Sequence, residues 1–355
     1  PATAVSAQML EGVLKPHTAG APTRTPALVA TARAWMHAGD PARALSLAQT
    51  ASQSDPSAIG PALLGLELLD KPAHAGASET LVQTYLAQPT AAPAARLAYV
   101  QTLTNANRYS EALHQLRIAT DAQPKEPRGW LTRGALEVEL RQARDAEQSL
   151  QNFLNLQGTS EAAADDDDED SDANRSAQRT QALLLLSQAA QIRKDLPAAN
   201  RWLDQIGPIN GSLEVALRRA LVWAADGKLR EARALIAALP QSEEVSAKAK
   251  TLAESQVLRE SKRWSEALAL LSAASSRAPD DTDLLYERAM LAEKLERHDE
   301  VEQLLRRVIA LQPAHHHAHN ALGYALADRN QRLPEARTLV QQALTLAPND
   351  PFITD

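Results

Sequence analysis

The sequence predicts an all-α solenoid of about nine stacked helical hairpins, and three observations carry that reading. Hydrophobic residues make up 44% of the 355-residue chain but aromatics only 3%, so Ala and Leu supply most of the apolar content. Both residues favour helices, and the β-branched and aromatic runs that mark strands are scarce. Second, small residues recur with a period of 34. Third, proline closes five of the units at one fixed place, at Pro56, Pro124, Pro279, Pro313 and Pro348.

The clearest unit is DLLYERAMLAEKLERHDEVEQLLRRVIALQP, from Asp283 to Pro313. A first landmark falls at Ala32, Leu66, Val100, Gly134, Ser187, Ala220, Ser255, Ala289 and Gly323, at intervals of 34, 34, 34, 53, 33, 35, 34 and 34. A second falls at Ala44, Ser78, Ala112, Ala146, Ala199, Ala232, Ala267, Val301 and Ala336, twelve residues later in eight of nine units. Two antiparallel helices approach closely only where small side chains meet, which explains Gly, Ala and Ser at these places. Leu66, Val100 and Val301 are larger than that contact wants, so looser geometry is expected there. Apolar groups at Ala51, Tyr85, Phe153, Leu239 and Val308 are placed to pack on the next hairpin. Proline cannot continue a helix and fixes each break. A lone hairpin cannot bury its apolar face, but stacked neighbours do so together.

In chain order, residues 1–23 form an N-terminal segment with an additional helix near 6–15. Repeats one to four occupy 24–157, the first two being the most degenerate. The 53-residue interval exceeds the period by 19, which marks residues 158–174 as an acidic insertion loop. Repeats five to nine occupy 175–350, and 351–355 read as the start of a truncated tenth.

The formal net charge is −7, and eight acidic residues between Glu161 and Asp172 account for more than all of it. The remainder sits near +1, which gives no footing for nucleic acid. Blocks of like charge are solvated loops or tails, and this run lacks the spaced ligands and turn glycine of a calcium loop. With no cysteine, neither disulfides nor thiolate metal sites can form. No apolar run reaches the roughly 18 residues of a membrane span. The chain opens at Pro1 rather than Met, as a processed or trimmed product would.

Signs of chemistry are few. His315 and His319 stand four apart on one helix face, as zinc-binding pairs do. No third ligand is evident, and His319 occupies an inward register position shared with Leu28, Trp130, Leu183 and Leu285. No metal site is therefore assigned. Phosphate loops, nucleophile elbows and HExxH patterns are absent from the sequence. The reading is a protein without catalytic residues or cofactors.

The 34-residue period with small residues at these places resembles the tetratricopeptide repeat, over residues 24 to 350. That resemblance implies a right-handed superhelix whose first helices line a concave, protein-binding groove. In this register the groove candidates begin with Leu131, Ala135, Leu184 and Gln188. They continue with Leu217, Leu221, Leu252, Gln256, Tyr286, Met290, Asn320 and Tyr324. Mainly apolar, they suit an extended or helical apolar ligand rather than a carboxylate clamp of Lys, Asn and Arg.

The strings DLLYERAMLAEKLERHD, RRVIALQP, HAHNALGYALADR and PNDPFITD resemble tetratricopeptide lipoproteins of Gram-negative outer membranes. Some of these bind and activate a carboxyl-terminal processing protease and present cell-wall hydrolases to it. The resemblance implies an adaptor on the periplasmic face of the outer membrane, with a protease and its substrates as partners. Membrane attachment would run only through a lipid anchor, whose signal peptide and cysteine this chain lacks. The alternatives are an assembly factor for secretion or polysaccharide export, and a cytosolic regulatory module.

Overall fold

A computed structural model describes residues 2–18, 23–69, 71, 73–161, 169–206, 212–242, 245–347, 350 and 353. Among them are nineteen α-helices, one short 3-10 helix and no strand. The chain forms an all-α helical-repeat solenoid, divided into two compact units. One unit comprises residues 1–140 and 151–164, the other 141–150 and 165–355.

In the first unit α1 (Ala2–Leu14) leads, through the 3-10 turn Lys15–Thr18, to α2 (Arg24–His37) and α3 (Pro41–Ser54). The pairs α4 (Ile59–Leu68) with α5 (Ala75–Leu86) and α6 (Pro93–Asn105) with α7 (Tyr109–Ala122) follow, then α8 (Pro127–Glu139). α1 covers the place where the sequence suggested an additional helix, and Glu11 ties it down. The Glu11 carboxylate accepts from Trp35 Nε1 at 2.8 Å and from Arg43 Nη2 at 2.8 Å, while the Arg43 guanidinium stacks 4.1 Å above the Trp35 ring. Leu64, Leu68 and Leu81 centre one core cluster, and Tyr85, Tyr99, Leu103 and Leu116 centre the next.

α9 (Ala143–Glu161) spans the division between the units. In the second unit the pairs are α10 (Glu169–Ile192) with α11 (Leu196–Asp204), and α12 (Leu213–Ala225) with α13 (Leu229–Ala237). Then come α14 (Ala247–Glu260) with α15 (Trp264–Arg277), α16 (Thr282–Lys294) with α17 (His298–Leu311), and α18 (His316–Asp328) with α19 (Leu333–Leu346). Most core clusters join a hairpin to its successor; one runs from Leu285 and Val308 to Leu322 and Leu339.

The acidic segment differs from its expectation of a loop over 158–174. Helix extends through Glu161 and resumes at Glu169; residues 162–168 lie outside the described residues. α10 therefore begins inside the acidic run rather than after it. Asp172 pairs with Arg175, one helical turn on. The expected tenth-repeat start falls on residues of which only Ile353 is described, and Ile353 is buried.

Small-residue contacts organise each hairpin. Ala112, Ala146, Ala232 and Ala267 are fully buried, as are Ala32, Ser187, Ala220 and Ala289. The second repeat corrects the predicted register by one residue. Gly65, not Leu66, makes the close approach: a Cβ on it would stand 2.7 Å from the Ser78 carbonyl oxygen. Gly323 repeats the contact, 3.0 Å from the Ala336 carbonyl oxygen. Leu66 turns aside to pack, half-buried, on the Tyr85–Tyr99 cluster.

A further constraint sits seven residues after the first landmark. Gly39, Asn107, Arg141, Lys194, Gly227, Lys262, Glu296 and Asn330 all have positive φ, between 53° and 82°. In most of them the next amide reaches back five residues: Arg108 N–H donates to Leu103 O, Arg263 to Leu258 O and Arg297 to Ala292 O, at 2.8–2.9 Å. This is the Schellman helix stop, which sends the chain back antiparallel after a three- or four-residue turn. Six of the eight residues are not glycine, and so the turn is not announced by composition.

Three outcomes are expected in urea melts. Gly65→Ala should destabilise by about 1–3 kcal/mol through overpacking, whereas Gly76→Ala, with nothing within 4 Å, should stabilise by about 0.5–1 kcal/mol. Lys262→Gly should raise stability by up to about 1 kcal/mol, because it relieves a left-handed side-chain-bearing residue. A Gly65→Ala variant as stable as the parent would contradict the corrected register.

Candidate functional site

The first helices of three successive hairpins, α10, α12 and α14, enclose an open cleft of about 540 Å³ in the second unit. Small residues on the buried side, Ala216, Ala220 and Ala253, seat these helices against their partners. The residues one register step away line the cleft, although Leu221 is itself buried and Leu217 packs on the same core. Gln188 comes from α10, Leu217, Arg218 and Leu221 from α12, and Gln256 from α14. The register therefore brings together four of the sequence candidates: Gln188, Leu217, Leu221 and Gln256.

Arg218 was not among those candidates, yet it dominates the polarity of the cleft. Its guanidinium donates to Gln188 Oε1 at 3.0 Å, and burial holds its pKa below the usual guanidinium range. Arginine remains charged at neutral pH nonetheless. Glu214 and Glu260 line the same cleft and supply opposing charge. The result is an apolar strip of Leu217 and Leu221 edged by amide and ionic groups. Amides of Gln188 and Gln256 can both donate and accept, which suits the backbone of an extended peptide. In sequence Arg218 is one of many arginines beside an apolar helix position, and nothing there separates it from a surface residue.

The other candidates stand elsewhere. Leu252 packs against the core beneath α15. Tyr286 and Met290 pack against the core of the last two hairpins. The Tyr286 ring lies 5.0 Å from that of His315, and burial pushes its hydroxyl pKa up. Asn320 is half-buried on α18, while Tyr324 on the same helix is 62% exposed. Leu131 and Ala135 are half-buried on α8 in the first unit. Leu184 is buried in a core cluster of the second unit.

His315 and His319 do not act as a pair. His315 Nδ1 accepts from the Ala318 amide at 3.1 Å and caps α18, whereas buried His319 places Nε2 2.9 Å from the Pro313 carbonyl oxygen. Trp130 Nε1 donates to the Pro124 carbonyl at 2.9 Å in the same register, so this histidine has a structural counterpart in the fourth repeat.

The first unit has a cleft of its own, about 610 Å³, between α5, α6 and α7. It is lined by Arg96, Gln115 and Ile118, none of them a sequence candidate. Arg96 donates to Gln115 Oε1 at 2.5 Å and to the Leu86 carbonyl at 2.9 Å. Beside it Tyr99 donates to the Glu79 carboxylate, and burial together with that bond pushes the Tyr99 pKa up to about 12. Arg108 holds the Glu79 carboxyl below its usual range.

Residues 258–323 match one tetratricopeptide repeat family, and residues 301–351 match a second. They cover the stretch where the sequence period is least degenerate. A TPR repeat-containing protein of Pseudomonas aeruginosa is 36% identical over 170 residues, which is 48% of this chain. That stretch spans 29% of the relative's own length. Among solved structures, a tetratricopeptide repeat protein from Parabacteroides merdae aligns with 85% of this chain and 98% of its own, at 13% identity and a TM-score of 0.47. MamA from Desulfovibrio magneticus RS-1 aligns with 49% of this chain and 97% of its own, at 17% identity and a TM-score of 0.33. Tetratricopeptide repeats serve in general as scaffolds for protein–protein interaction.

Proposed function

We propose that the chain is a non-catalytic adaptor that holds a segment of a protein partner along the first helices of its repeats. The observation that carries this reading is the cleft of α10, α12 and α14, where Leu217, Leu221, Gln188, Gln256 and Arg218 converge. Leu217 and Leu221 offer apolar burial, and the glutamines offer hydrogen bonds that any peptide backbone can complete. Arg218 favours a partner segment with an acidic group near its centre. Tyr324 extends the same kind of surface towards the end of the array, because a tyrosine joins a large apolar body to a hydrogen-bonding tip.

The partner we propose is a carboxyl-terminal processing protease together with its substrates, with the native protein a lipoprotein on the periplasmic face of the outer membrane. What supports this is the likeness of DLLYERAMLAEKLERHD, HAHNALGYALADR and PNDPFITD to such lipoproteins. On this reading the repeats bring substrate and protease together and perform no bond chemistry themselves.

Calorimetric titration of the purified chain with such a protease tests the proposal. Tyr324→Ala and Gln256→Ala are the clean probes, since both side chains are exposed. If either is a hot spot, its truncation costs about 2 kcal/mol of affinity or more. The thermal stability of each should stay within about 0.5 kcal/mol of the parent. Tyr286→Ala, by contrast, removes core packing and should lower stability as well as affinity. Absence of binding to any processing protease, with the lipidated protein supplied, would overturn the adaptor reading and leave the fold untouched.

A further inference from the structure

The sequence shows a histidine group without a third ligand; the fold supplies one. His316 and His317 stand in the first turn of α18, and Asp350 lies in the segment that leaves α19. One ligand atom from each of the three lies within 4.8 Å of the others. His316 Nε2 is 3.6 Å from Asp350 Oδ2, and His317 Nδ1 is 3.8 Å from the same oxygen.

These distances lie outside hydrogen-bond range but within that of an ion pair, which the imidazoles make only when protonated. At 3.6 and 3.8 Å neither imidazole makes a hydrogen bond to the carboxylate, because such bonds close to roughly 2.7–3.2 Å. The spacing instead approaches the edge of a tetrahedron around zinc, about 3.4 Å for metal–ligand bonds of about 2.1 Å. Two imidazoles and one carboxylate form a donor set that suits zinc and leaves its fourth position to water. All three residues are partly buried, so water competes for them less than it does on an open surface.

Asp350 is held by backbone hydrogen bonds to described residues on both sides. The Asp350 amide donates to the Ala347 carbonyl at 3.3 Å, and its own carbonyl accepts from Ile353 at 3.1 Å. Ile353 is buried and anchors the turn. On the other side, His315 caps α18 through Nδ1 and rests its ring against Tyr286. The dipole of α18 opposes a cation at this end, and the Asp350 carboxylate supplies compensating charge.

We propose that His316, His317 and Asp350 form a zinc site that staples the first turn of α18 to the segment following α19. The ion closes a loop of 34 residues, from His317 to Asp350, across the ninth hairpin. Its role is structural: three protein ligands hold the end of the array, and no reaction is assigned to the bound water.

The test is calorimetric titration of zinc chloride into the full chain, purified without a polyhistidine tag. One zinc per chain is expected, with a melting midpoint that rises on saturation. Asp350→Asn and His317→Ala should weaken binding by at least about 10–100-fold, the loss that even an outer-shell partner brings. Both should abolish the melting shift while leaving the metal-free circular dichroism spectrum unchanged. His315→Ala should bind within a few-fold of the parent. Failure to saturate at one equivalent would overturn the proposal. So would binding that survives Asp350→Asn but is lost in His315→Ala, since that marks the helical i,i+4 pair as the adventitious ligand.

Discussion

Everything in this fold depends on the close approach of two antiparallel helices at a small residue. Where Gly65 faces Ser78, or Gly323 faces Ala336, the backbone of one helix lies almost against the other. At that distance the flanking leucines can interdigitate, and each hairpin presents a continuous apolar flank to the next. Larger groups at the contact would hold the helices apart and open the core along the stack. Val100 and Val301 show the limit of tolerance, since both are buried at landmark positions without disturbing the pairing.

The second repeating element is the left-handed residue seven places further on. It stops the first helix after a fixed number of turns and returns the chain so that the second landmark meets the first. The same turn is built on Gly39 and Gly227, on Asn107 and Asn330, and on Arg141, Lys194, Lys262 and Glu296. Helix packing therefore overrides local preference, since a lone lysine or glutamate does not choose this conformation. Contact and turn together give every hairpin the same geometry, which is why a period of 34 survives when few residues repeat in kind.

Much of the fold was legible because its rule is short-range and periodic. Ala112, Ala232 and Ala267 could be placed from spacing alone. The second repeat was misread by one because Leu66 preserves the arithmetic while Gly65 preserves the contact. The turns were hidden because most of their residues are charged or amide rather than glycine. The segment from Glu169 was read as a loop because a run of like charge carries no apolar periodicity to announce the helix that begins there.

For the candidate site the balance is reversed. Register predicts which residues leave the buried face, and so Leu217, Leu221 and Gln256 could be named. It does not say which of them line a cleft and which, like Tyr286 and Leu252, pack onto a neighbour; that depends on the side chains arriving from adjacent repeats. Arg218 is defined by its bond to Gln188, and Asp350 by its nearness to His316 and His317; both relations span thirty or more residues.

The central claim is that stability is built hairpin by hairpin from these small-residue contacts, and hydrogen exchange read by mass spectrometry tests it most directly. Ala267→Leu places an extra isobutyl volume at the contact between α14 and α15. Exchange should quicken in those two helices and, less, in the adjoining α12–α13 and α16–α17. Helices α2 to α5 should keep the protection of the parent, as expected when each repeat answers chiefly to its nearest neighbours. A uniform loss of protection along the whole chain, or no change at α14 and α15, would contradict the account.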